Sequence, residues 1–156
     1  HIITAQRLYS KEDYMKTILI IYWSQTGNTE AMAHAIAQGI EEEGNQAKLL
    51  EVSEAEPEIL KKANVFALGC PAMGGEVLEE DEMEPFVTKS EPFVSGKVIG
   101  LFGSYGWGDG QWMRDWEARM AAAGAKIQGG TGVICQEAPD DEVLAACEEL
   151  GKQLVQ

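Results

Sequence analysis

Thr17-Ile-Leu-Ile-Ile-Tyr-Trp-Ser-Gln-Thr-Gly-Asn-Thr29 runs from a continuous apolar segment into a hydroxyl-rich turn, and an alanine-rich stretch from Glu30 to Ile40 follows directly. The apolar part has the composition of a strand buried on both faces, as in a parallel sheet. Met32, Ile36 and Ile40 then recur every four residues, the spacing of one helix face. Strand, compact turn and helix in this order aim backbone N–H groups and the positive end of a helix dipole at one spot, where an anion can sit. The turn holds no Lys. Neutral donors alone would carry a phosphate there, which suits a resident cofactor better than a triphosphate that is hydrolysed.

The alternation of apolar blocks and amphipathic stretches continues along the chain and predicts an α/β domain with a mostly parallel sheet. Strands are expected at Thr17 to Trp23, Gln46 to Val52, Asn64 to Gly69, Lys97 to Gly103 and Gly132 to Gln136. Trp112, Trp116, Met120 and Ala123 mark a further helical face, and Glu56 to Ala63 is a weakly patterned helix. A last helix buries Val143, Cys147, Leu150 and Leu154, with Pro139 suited to its first position. Gly44 and Gly124 read as helix terminators.

With 156 residues, the chain makes one domain able to bury roughly 70% of its unfolded surface. Three cysteines without C-x-x-C spacing argue against a disulfide framework or zinc site and for a reducing cytoplasm. No apolar run has the length of a membrane span. His1 to Tyr14 lacks the continuous apolar core of a signal peptide; it reads as a leader or appended segment before a domain spanning residues 15–156. Acidic residues outnumber basic ones 26 to 12, for a formal net charge of −14. Nucleic acid and anionic membranes are therefore poor partners, and the acidity serves solubility or the steering of a basic protein.

Two loops are richer than connections require. Pro71-Ala72-Met73-Gly74-Gly75-Glu76 follows the third strand, and Ser104-Tyr105-Gly106-Trp107-Gly108-Asp109-Gly110 follows the fourth. In an open parallel sheet of order 2-1-3-4-5, both loops and the hydroxyl-rich turn meet at the carboxyl edge where strand order reverses. An indole held between glycines at a loop tip calls for something flat to cover it, and a Met can cover the opposite face. The alternative is that Met73 and Trp107 pack in the core.

These three segments, as Tyr22 to Glu30, Gly69 to Gly74 and Leu101 to Gly110, resemble the flavodoxins, specifically the short-chain type of anaerobic bacteria. The resemblance extends from Met15 to the C-terminus and implies a three-layer, doubly wound α/β fold with a five-stranded parallel sheet of order 2-1-3-4-5. It also implies noncovalently bound FMN and transfer of single electrons between redox proteins by a monomeric, cytoplasmic carrier. By that resemblance, Ser24, Thr26, Asn28 and Thr29, with the turn amides that include Gln25 and Gly27, hold the FMN phosphate. Met73, flanked by Pro71 and Ala72, covers the inner ring face and Trp107, beside Gly108, the outer one. Glu76 matches a carboxylate that accepts from the flavin N3 edge. Gly74 matches a glycine whose peptide flips to accept from the N5–H of the partly reduced ring. Ser104, Tyr105 and Gly106 line the ribityl chain and ring edge, with Gln136 a further contact. Gly75 stands where related chains place Asp or Ser, which frees the turn at that point.

The chemistry then needs no acid, base or nucleophile from the protein. Glu76, Glu79, Glu80, Asp81, Glu82 and Glu84 lie beside the expected ring position and Asp109 faces them. A carboxylate about 10 Å from an anionic ring at an effective dielectric near 20 costs roughly 1.7 kcal/mol, and about 1.4 kcal/mol is 59 mV for one electron. A strongly reducing last couple is expected, with the acids forming a rim that steers basic redox partners to the flavin edge. The alternatives are an FMN-dependent quinone reductase on the same fold, a receiver domain without a redox group, and a P-loop nucleotidase, whose Gly-Lys-Ser/Thr is missing.

Overall fold

The computed structural model describes residues 16–156, so the expectation for residues 1–14 lies outside the described residues. β1 (Thr17–Tyr22) occupies the middle of a parallel sheet, between β2 (Gln46–Glu51) and β3 (Val65–Gly69). β4 (Val98–Tyr105) pairs with β3. The order is β2-β1-β3-β4-β5, as expected. The fifth position is shared by two short strands: β5 (Lys126–Ile127) pairs with the start of β4 and β6 (Val133–Gln136) with its end. Gly129 and Gly130, with φ of 77° and 83°, turn the intervening chain out of the ladder, so a single fifth strand does not form.

Alternate side chains of β1 feed opposite layers, as a two-residue period requires. Ile18, Ile20 and Tyr22 face α1 (Asn28–Glu42) and α4 (Asp141–Leu154), where they join Met32, Ile36, Ile40, Cys147 and Leu150. Leu19 and Ile21 face α2 (Met83–Ser90) and α3 (Gln111–Ala122), where Met83, Phe86, Trp112 and Trp116 are buried. Each layer is sealed by the apolar face that the helical spacing marks out.

Three local readings change. Glu56 to Ala63 is too short and proline-led to extend into an α-helix and tightens into a 3₁₀ turn, Pro57–Lys62. Its C-terminal carbonyls, on Leu60 and Lys61, accept hydrogen bonds from the Lys97 ammonium. Pro139 does not begin α4; Asp140 caps that helix by accepting from the Val143 N–H at 2.9 Å. The third change is α2, which lies partly within the acidic run and was not expected. Its Pro85 falls in the first turn, where a missing N–H costs nothing.

Candidate functional site

Tyr22 and Gly69 are paired in register, and Gly69 with Phe102, so β1 and β3 end level while β4 runs on to Tyr105, and the loops that follow share the carboxyl edge of the sheet. The turn after β1 enters α1 through Gly27, whose φ of 93° favours glycine. Ser24 Oγ accepts from the Glu30 N–H at 3.2 Å and Thr26 Oγ1 from the Asn28 N–H at 3.5 Å. Among the described residues nothing accepts from the N–H groups of Thr26, Gly27 or Thr29. They are free donors at the positive end of α1, which fits an anion. Thr29 itself is buried, its Oγ1 3.2 Å from Ser104 Oγ, so its hydroxyl ties the turn to the end of β4. Tyr22 donates to Glu30 at 3.0 Å. Burial first, and then that carboxylate, push its phenol up to about 12, so it stays protonated.

A cleft joins the loops, lined by Gln25, Thr26, Asn28, Pro71, Ala72, Met73, Ser104, Tyr105, Gly106 and Glu137. Ala72 N–H donates to the Ser104 carbonyl at 2.9 Å, which fixes the second loop to the third. Met73 to Glu76 is a β-turn closed by Glu76 N–H on the Met73 carbonyl at 2.9 Å, with Gly75 at φ 80° as a type II turn demands. A Cβ built on Gly74 or Gly75 meets open space. The turn tip is therefore uncovered. Glu76, at φ 55°, reaches across to the third loop. Its carboxylate accepts from the Gln111 N–H at 3.3 Å, and a Cβ on Gly108 would lie 2.5 Å from its Oε1. Tyr105 packs against Trp112 at 5.5 Å between ring centroids. Trp107 stands at the tip, 72% exposed. Core packing is thus excluded for Trp107, and Met73 is half-buried at the cleft wall.

Gln136 ends β6 and Glu137 follows it, and both reach the third loop. The Gln136 Nε2 donates to the Gly106 carbonyl at 3.1 Å, at the start of the third loop. Glu137 lines the cleft, with φ 61° and its N–H bonded to the Tyr105 carbonyl at 2.8 Å. Glu76 and Glu137 are the two non-glycine residues of positive φ among the described residues; Glu137 lines the cleft and Glu76 ends the Met73 turn beside it. Backbone of this kind marks functional sites, but a Glu gives no such signal in sequence.

The acidic rim is smaller than its composition suggests. Glu79 is buried, and its carboxylate accepts from the N–H groups of Asp81, Glu82 and Met83 at 2.8, 2.7 and 3.0 Å. Burial would raise its pKa, but these three bonds outweigh it and hold the carboxyl below its ordinary value. Glu84 pairs with Arg119 at 2.6 Å and Asp109 with Arg114 at 3.0 Å. Glu80, Asp81 and Glu82 remain exposed. The three thiols are free and buried. Burial pushes Cys70 and Cys147 up to about 12, so both are protonated and inert at neutral pH.

A family model described as Flavodoxin matches residues 20–150. The chain is 49% identical over 135 residues to a flavodoxin of Clostridium beijerinckii, covering 86% of this chain and 96% of that one. It is 43% identical over 133 residues to a flavodoxin of Megasphaera elsdenii, with 85% and 94% covered. The solution structure of two-electron reduced Megasphaera elsdenii flavodoxin superposes with a TM-score of 0.81 at 40% identity, covering 88% of this chain and 98% of that one. Free donors at the α1 terminus, an uncovered turn facing an exposed indole and near full-length similarity converge: this chain belongs to the flavodoxin family, electron-transfer proteins that carry FMN.

Proposed function

We propose that this chain is a low-potential one-electron carrier whose FMN phosphate sits in the Ser24–Thr29 turn and whose ring lies between the Met73 to Glu76 turn and Trp107. One observation carries this reading. Val77, 42% exposed, and Trp107, 72% exposed, are the two large apolar side chains left open among the described residues, and they stand on the two loops that frame the cleft. A flat, partly apolar ring resolves that exposure, with stacking worth roughly 0.5–1.5 kcal/mol beyond the area buried.

Bound FMN supplies the one-electron chemistry. The chain's residues bind and orient it. The free N–H groups of Thr26, Gly27 and Thr29 would hold the phosphate without a cation, while Ser24 and Thr26 hold the turn in shape. Glu76, fixed by the Gln111 N–H through Oε1, would offer its remaining oxygen to a ring N–H. Carboxylates near the ring disfavour added negative charge and so lower the last couple.

Glu80, Asp81 and Glu82 form the outward part of the rim, and the partner they fit is a basic redox protein in a reducing cytoplasm, met by a monomer. No helix of the described residues is long and apolar enough to cross a membrane. The test is electron transfer to a basic partner protein. Glu80→Gln with Glu82→Gln should slow the reaction at low salt, with the difference shrinking as ionic strength rises. Equal rates at every salt concentration would reduce the rim to a solvated surface.

A further inference from the structure

The loop from Ser104 to Gly110 contains Gly106, Gly108 and Gly110, the last two at φ 94° and 91°. So many glycines leave it little conformational bias of its own. Bonds from outside give it order. Its first half is held from the end of β6, by Glu137 N–H on the Tyr105 carbonyl and Gln136 Nε2 on the Gly106 carbonyl. Its second half is held from α3. Arg114 Nη1 donates to the Asp109 carbonyl at 3.0 Å, and Nη2 donates to the Asp109 carboxylate and to Gln111 Oε1, each at 3.0 Å. Trp107 lies between the two sets of bonds.

We propose that Arg114 is a positioning residue for the cofactor: by gripping both the carbonyl and the carboxylate of Asp109, it sets the direction in which Trp107 leaves the loop. This assignment rests on the FMN reading given above. The side chains of Arg114 and Asp109 are 51% and 78% exposed, and an ion pair so placed contributes little to global stability. Its effect is local. The planar fork fixes three acceptors at once, whereas a Lys ammonium supplies charge on a flexible stem without that geometry. The loop's residual freedom is what the fork removes, and Trp107, 72% exposed, is aimed chiefly by the backbone on either side of it.

The experiment compares Arg114→Lys and Arg114→Met, each alone and combined with Trp107→Ala, by titrating FMN into apoprotein. Flavin-fluorescence quenching gives the affinity, and visible circular dichroism of the bound flavin reports ring orientation. Both single variants should weaken FMN binding roughly three- to tenfold and alter the dichroism, with the urea midpoint of the apoprotein unchanged. In the Trp107→Ala background, Arg114→Met should have no further effect, because the two residues act through one contact. Affinity and dichroism restored by Lys would show that charge alone matters and overturn the assignment. A full Arg114 effect without Trp107 would also overturn it, as would wild-type affinity in both single variants. Failure of the wild-type protein itself to bind FMN would instead overturn the functional reading.

Discussion

Replacing Glu79 by Ala removes the acceptor for three backbone N–H groups at the start of α2, at 2.7 to 3.0 Å. Asp81 and Glu82 are exposed and Met83 is buried, so water can serve the first two donors and not the third. A buried unsatisfied donor costs about 1–3 kcal/mol and loss of a cap about 0.5–2 kcal/mol. The expected destabilisation is about 2–4 kcal/mol. Glu79→Gln keeps one acceptor oxygen but turns an amide NH₂ towards a donor, and should cost about 1–2 kcal/mol. Urea unfolding of apoprotein at several pH values measures both. Because the folded carboxyl lies below its ordinary value, its contribution is fully present above the unfolded pKa of about 4.3 and is lost as pH falls through the lower folded value. The gap between wild type and Glu79→Gln should therefore be constant from about pH 7 to 5 and close below about pH 4. A loss under about 0.5 kcal/mol in the Ala variant, or a gap that widens in acid, would refute the capping role and return Glu79 to the rim.

Trp107→Ala should leave apoprotein stability within about 0.5 kcal/mol, since the side chain is exposed, yet weaken FMN binding about three- to tenfold or more, the stacking contribution plus the ring area uncovered; fluorescence titration checks it. Gly108→Ala forces a Cβ against Glu76 and places Ala at φ 94°, a strain of about 1–2 kcal/mol before any movement of Glu76. It should separate the two ring loops and lower FMN affinity more than phosphate affinity, read by titration with each ligand. Thr29→Val leaves the buried Ser104 hydroxyl without its partner, at about 1–3 kcal/mol in urea unfolding.

The α/β class and the strands were legible because they rest on long-range patterns, continuous apolar runs and helical spacing at Met32, Ile36 and Ile40, whereas the strand order β2-β1-β3-β4-β5 came from the resemblance of three distinctive loops and not from periodicity. α2 was hidden although Met83, Phe86, Val87 and Ser90 carry the helical spacing, because the surrounding carboxylates drew the reading towards charge. The same run made Glu79 look like a surface acid. Only the path of the chain shows that it folds back onto the helix start. Glu137 lines the cleft through a left-handed backbone at φ 61° that composition does not encode.

Spectroelectrochemical titration of the FMN-loaded protein decides whether the chain is a low-potential one-electron carrier. The protein should take up one FMN per chain and show two separate one-electron steps, the second well below that of free FMN because the cleft and its carboxylates disfavour further negative charge. A single two-electron step at the potential of free FMN would contradict that role.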